Sequence, residues 1–88
     1  MNNKIDNIEL IRVLVWFNKD NDDYVGEYTL NILDINELKK IFNVTDSDEQ
    51  MINCYPVFVE QASYLESLLN IEIDLEKYDY FVECYGNK

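Results

Sequence analysis

Leu10-Ile11-Arg12-Val13-Leu14-Val15-Trp16-Phe17 is the stretch on which the fold turns. It is the longest β-branched and aromatic run in the chain, and Arg12 is its one charge. Such side chains suit a pleated, packed surface, and a run apolar on both faces suits the interior of a sheet. The reading is a central strand. Its odd positions, Ile11, Val13, Val15 and Phe17, form a wholly apolar set expected to face the core. Its even positions, Leu10, Arg12, Leu14 and Trp16, form a mixed set expected to face outward.

On the C-terminal side, Asn18-Lys19-Asp20-Asn21-Asp22-Asp23 reads as a turn, because Asn and Asp bond their own backbone and tolerate left-handed geometry. A calcium loop would need Gly at its sixth position and Glu at its twelfth, and neither register supplies both. Tyr24 to Ile32 then alternates as a half-wet strand. Tyr24, Gly26, Tyr28, Leu30 and Ile32 share one face, and Val25, Glu27, Thr29 and Asn31 the other. The two strands make a hairpin. Residues 1–8, polar apart from Met1, Ile5 and Ile8, read as a lead-in or a frayed end.

Asp34 followed by Glu37 signals a helix start, with Leu33 placed to staple against Leu38 and Asn43 as a stop. Thr45 to Gln50 is rich in capping residues and predicts a short helical turn running to Ile52. Pro56 fits the first turn of another helix, in which Phe58, Ala62, Leu65 and Leu69 keep helical spacing and Asn70 is the stop. Ile71 to Glu76 alternates apolar and acidic like a strand, but the apolar phase is odd through Leu75 and even from Tyr78 onward. A straight strand cannot change face in that way, so a break is expected between Asp74 and Lys77, with a last strand from Tyr78 to Tyr85.

The expected architecture is one α+β domain over residues 1–88, a two-layer β-β-α-α-β arrangement. Its three-stranded sheet has order 2-1-3 and carries both helices on one face. The open sheet face should then show Arg12, Leu14 and Trp16, Glu27, Thr29 and Asn31, and Asp79, Phe81, Glu83 and Tyr85.

Charge bears most directly on function. The chain has 18 Asp and Glu against 7 Lys and Arg, a net charge of −11 in 88 residues. Such a field repels nucleic acid and anionic membrane and draws in basic proteins. There is no His, no nucleophile motif, no Gly-rich phosphate loop and no metal-spaced Cys or His set. The expectation is a protein that is not an enzyme and has no catalytic residue, cofactor or metal. Cys54 and Cys84 are too few for a disulfide framework and point to a reduced, cytoplasmic setting. No segment reads as a signal peptide or membrane span.

Rings interleaved with carboxylates suit the grip of a Lys/Arg-rich partner. The candidate contact residues are Trp16 and Phe81 as anchors, with Asp20, Asp22, Asp23, Glu27, Asp79, Glu83 and Tyr85 around them. Two other readings use the same face: cross-strand pairing of Arg12 with Glu27 or Glu83, and a homodimer interface.

In size, acidity and lack of His, the chain resembles the immunity proteins of contact-dependent growth inhibition and colicin-type toxin systems. Through Trp16-Phe17-Asn18-Lys19, Cys54-Tyr55-Pro56 and Tyr78-Asp79-Tyr80-Phe81-Val82-Glu83, it also resembles a family of short uncharacterised bacterial domains. The first resemblance implies a cytosolic inhibitor that covers the active site or RNA-binding surface of a basic toxin nuclease, often a tRNase. It carries over no specific residue. The alternative is a non-enzymatic adaptor or oligomeric structural subunit unrelated to toxins.

Overall fold

In the computed structural model, residues 9–87 are described, and the lead-in expected over residues 1–8 lies outside them. The elements run β1 (Glu9–Asn18), β2 (Tyr24–Thr29), α1 (Ile35–Ile41), a 3-10 turn (Asp46–Asp48), β3 (Tyr55–Pro56), α2 (Val59–Leu69) and β4 (Tyr78–Asn87). The sheet is antiparallel with order β2-β1-β4-β3. The two-helix α+β plan and the interior place of β1 match the sequence reading. The number of strands does not, because a fourth is added beyond β4.

That fourth strand contains Pro56, which was expected in the first turn of a helix. Val57 donates its amide to the Tyr80 carbonyl at 2.9 Å, so the neighbouring Pro56–Phe81 pair is one whose backbone groups point away from each other. The missing N–H of Pro56 therefore falls on the solvent side of an edge strand, where no ladder bond needs it. The helix starts at Val59 instead. Phe58 has no acceptor to cap it, and Gln61 Oε1 reaches back to the Phe58 amide at 3.1 Å. At α1 the expected cap is present, with Asp34 Oδ1 accepting from the Asn36 amide at 3.0 Å. Asn43 and Asn70, the expected stops, both adopt left-handed backbone, at φ 53 and 57.

Strand register decides which side of β1 meets the helices. Leu14 lies between Tyr28 and Val82, and Trp16 between Gly26 and Tyr80. Cross-strand partners share a face, and the core joins Leu14, Leu30, Tyr80 and Val82 to Leu38 and Phe42 and to Ala62, Leu65 and Leu69. The even positions of β1 thus face the helical layer, which reverses the expectation for Arg12, Leu14 and Trp16. With both faces of β1 apolar, its own pattern could not choose between them. The one-sided alternation of β2 and β4 made the choice. Leu14 and Leu65 are fully buried, and each contributes roughly 1.5–3 kcal/mol by leaving water.

Ile71 to Glu76 pairs with no strand among the described residues, although it alternates like one. Ile71, Ile73 and Leu75 pack against the core while Glu72, Asp74 and Glu76 stay exposed. Side chains satisfy its amides: Glu66 Oε2 accepts from Ile73 at 2.8 Å and the Tyr80 hydroxyl from Asp74 at 3.1 Å. The break foreseen between Asp74 and Lys77 is a turn leading into β4.

Candidate interaction face of the sheet

The sheet face away from the helices carries the odd positions of β1 and β4. Val15 lies between Glu27 and Phe81, and Val13 between Thr29 and Glu83. Both valines are only 2% exposed. Phe17 meets Phe81 edge-on, with ring centroids 6.0 Å apart, and Tyr24 at 6.1 Å. Tyr24 belongs to this face because the β1–β2 ladder shifts register after Trp16: Trp16 pairs with Gly26 but Phe17 with Tyr24, leaving Val25 as an extra residue. The unbroken alternation read from sequence put Tyr24 on the other side.

Two of the carboxylates on the face each take a tyrosine hydroxyl. The Tyr24 hydroxyl donates to Glu27 Oε1 at 3.2 Å, and the Tyr85 hydroxyl donates to Glu83 Oε1 at 3.2 Å. Burial and then the Glu27 carboxylate raise the Tyr24 phenol above its usual value, and burial and then Glu83 do the same for Tyr85. Both therefore stay protonated donors at neutral pH. Cys54, one residue before β3, places its thiol 3.9 Å from Glu83 Oε2. Burial and that neighbouring charge raise the thiol, which keeps it a poor nucleophile.

The acidic tip beside this face is locally built. Asn18 Oδ1 accepts from the Asp20 amide and Asn21 Oδ1 from the Asp23 amide, each at 3.0 Å, and Asp22 has φ 63. Asp20, Asp22 and Asp23 remain exposed. Asp79 differs, because Lys19 Nζ pairs with its Oδ1 at 3.1 Å and tethers the tip to the start of β4. Among the described residues, no group of three or more His, Cys, Asp or Glu side chains could hold a metal ion.

Of the nine candidate contact residues, the fold puts Glu27, Asp79, Phe81, Glu83 and Tyr85 on the open face and Asp20, Asp22 and Asp23 at its adjoining tip. Trp16 is on the opposite side. It stacks on Tyr80 at 5.4 Å and packs over Gly26, where an added Cβ would lie 3.0 Å from the indole Cζ2. Phe17, Tyr24 and Cys54 take part in the face without having been singled out.

Residues 11–83 match the family model described as Domain of unknown function (DUF7683). The chain belongs to the DUF7683 family. The matched span takes in β2, β3, both helices and most of β1 and β4, and with them the Tyr24–Glu27 pair and Glu83 of the second pair. DUF7683 therefore names the scaffold that positions this face and assigns it no activity. No helix among the described residues of this DUF7683 chain is long and apolar enough to cross a membrane.

A second cluster, which the sequence reading did not single out, lies at the helical end of the sheet. Asp48 is nearly buried and accepts from the Ile52 amide at 2.9 Å, the Asn53 amide at 3.0 Å and the Tyr55 hydroxyl at 2.6 Å. These bonds, the Tyr55 hydroxyl first, hold its carboxyl below the usual carboxylate value, and the charge of Arg12 adds to them. Arg12 Nη2 donates to the Gln50 carbonyl, while its buried Nε meets no hydrogen-bond partner among the described residues. Arg12 is thus committed to the 46–53 loop and not to Glu27 or Glu83. Four bonds fix a loop that includes Met51 at φ 52, so this cluster positions backbone.

Proposed function

We propose that this protein binds a basic protein partner on the open face of its sheet and masks it, as an immunity protein masks a toxin nuclease. The observation that carries the reading is the pairing of Glu27 and Glu83 with tyrosine hydroxyls on a ring-lined face of a chain with net charge −11. Carboxylates held by neutral donors keep their charge and accept further hydrogen bonds from Lys or Arg. The adjoining rings supply the desolvated anchors that slow dissociation. The exposed acids of the tip add long-range attraction and speed the encounter.

In this reading the isolated chain turns over no substrate. The Cys54 thiol is raised by burial and by Glu83, and the Asp48 carboxylate is taken up by the Tyr55 hydroxyl and the Ile52 and Asn53 amides. The same charge disfavours self-association through this face, since two copies would juxtapose Glu27 and Glu83 with their own equivalents.

The test is surface-binding kinetics at two ionic strengths, with a panel of Lys/Arg-rich toxin nuclease domains as the partners. Glu27→Lys with Glu83→Lys should slow association and flatten its salt dependence. Phe81→Ala should cost on the order of 2 kcal/mol, mainly in the off-rate. Reversals on α1 and α2 that abolish binding while these leave it intact would move the site to the helical face. Absence of binding at any salt, or turnover in a nuclease screen with Mg²⁺ or Mn²⁺, would remove the masking role.

A further inference from the structure

The two edges of the sheet are protected to very different degrees. β3 is two residues long and turns the N–H-less nitrogen of Pro56 outward. β2 is six residues long, contains neither Pro nor Lys, and among the described residues pairs only with β1. Bulges, prolines and lysines are the usual means of blunting an edge. The one such device on this side, the extra residue Val25, leaves the second half of β2 regular.

Register shows which groups that half presents. Leu30 donates its amide to the Arg12 carbonyl at 2.8 Å, so Arg12–Leu30 is a hydrogen-bonded pair, and Leu14–Tyr28 and Trp16–Gly26 follow by alternation. Val15–Glu27 and Val13–Thr29 are then the non-bonded pairs. The backbone N–H and C=O of Glu27 and Thr29 point away from β1, and no backbone partner meets them among the described residues.

We infer that a basic partner docks by laying an extended segment along β2, adding a fifth strand through the backbone groups of Glu27 and Thr29. This rests on the basic partner proposed above and adds how it is held. Side chains on the open side of the added strand would lie beside Glu27 and within reach of the acidic tip, which calls for Lys or Arg. Those on the other side would lie beside Tyr28, 38% exposed, which calls for an apolar residue. The segment is thus cationic and apolar at alternate positions. A second copy of this chain fits poorly, since antiparallel pairing centred on Glu27 sets that carboxylate against itself across two molecules of net charge −11.

The experiment uses the ¹⁵N-labelled full chain with a decapeptide alternating Lys and Val, and a control of the same sequence N-methylated at alternate backbone nitrogens. Amide exchange at Glu27 and Thr29 should slow by roughly tenfold or more with the first peptide, while Gly26 and Tyr28 stay unchanged. The N-methylated peptide should give no such protection at the same charge. Equal protection by both peptides would overturn strand addition. So would protection that grows with protein concentration alone, which would make a second copy the occupant. If Glu83 and Tyr85 resonances shift without edge protection, edge docking fails while the open-face reading stands. If neither responds at low salt, this inference fails together with that reading.

Discussion

The Tyr55 hydroxyl donates to Asp48 across 2.6 Å and so joins the edge strand β3 to the loop that precedes it. The same carboxylate holds the Ile52 and Asn53 amides, so one side chain sets the path of the chain into β3. Asp48→Ala leaves both amides and the hydroxyl without their acceptor, whereas Tyr55→Phe removes a single donor. Asp48→Ala should therefore lower Tm more than Tyr55→Phe. Amide exchange in the variants should show early opening confined to residues 46–57.

The pair also sets opposite pH limits. The carboxyl of Asp48 lies below its usual 3.8 in the fold, so its contribution is complete above 3.8 and is lost as pH falls through the folded value. Tyr55 is pushed up from 10.0 to about 12, first by its bond to Asp48, so its contribution is complete below 10.0 and is lost as pH rises towards about 12. Denaturation across both limits should show a shallower acid limb for Asp48→Asn. The deficit of Tyr55→Phe should be constant between 3.8 and 10.0 and shrink above 10.0.

Leu14→Ala should destabilise the fold by on the order of 2–5 kcal/mol, as large-to-small changes at fully buried sites do. Gly26→Ala tests the same face from the other side, because its new methyl would lie 3.0 Å from the indole of Trp16. Chemical shifts of Trp16 and Tyr80 should move together in that variant and Tm should fall. Neither change should weaken a partner on the open face once the folded fraction is matched.

Cys54 offers a chemical probe of the open face. Its thiol is raised by burial and by Glu83, so alkylation near neutral pH should run slower than for an unstructured thiol. Glu83→Gln should speed the reaction and shift its pH profile downward. An unchanged profile would show that the Glu83 carboxylate does not act on the thiol.

The hairpin, the helix start at Asp34, the stops at Asn43 and Asn70 and the break before Tyr78 were legible because each rests on local chemistry. The direction of β1 was not. A strand apolar on both faces carries no information about which side the helices cover, and only its pairing with Tyr28 and Val82 supplies it. That is why Glu27, Phe81, Glu83 and Tyr85 were grouped correctly while Trp16 was joined to them wrongly. Pro56 misled for a related reason, since a residue lacking N–H suits a helix start and an outward-facing edge position equally well. Asp48 lay in a run that reads as capping material, and its role depends on Tyr55, seven residues away.

The placement of Trp16 governs how binding can be observed. The chain has one Trp and seven Tyr. Its sole indole fluorophore is stacked on Tyr80 beneath the helices, on the far side of the sheet from Glu27 and Glu83. Indole emission will therefore follow denaturation closely and remain silent while a ligand settles on the opposite side. The phenols of Tyr24 and Tyr85 stand where contact would occur, 57% and 43% exposed. A titration followed through tyrosine emission would register an encounter that one followed through tryptophan would score as no binding at all.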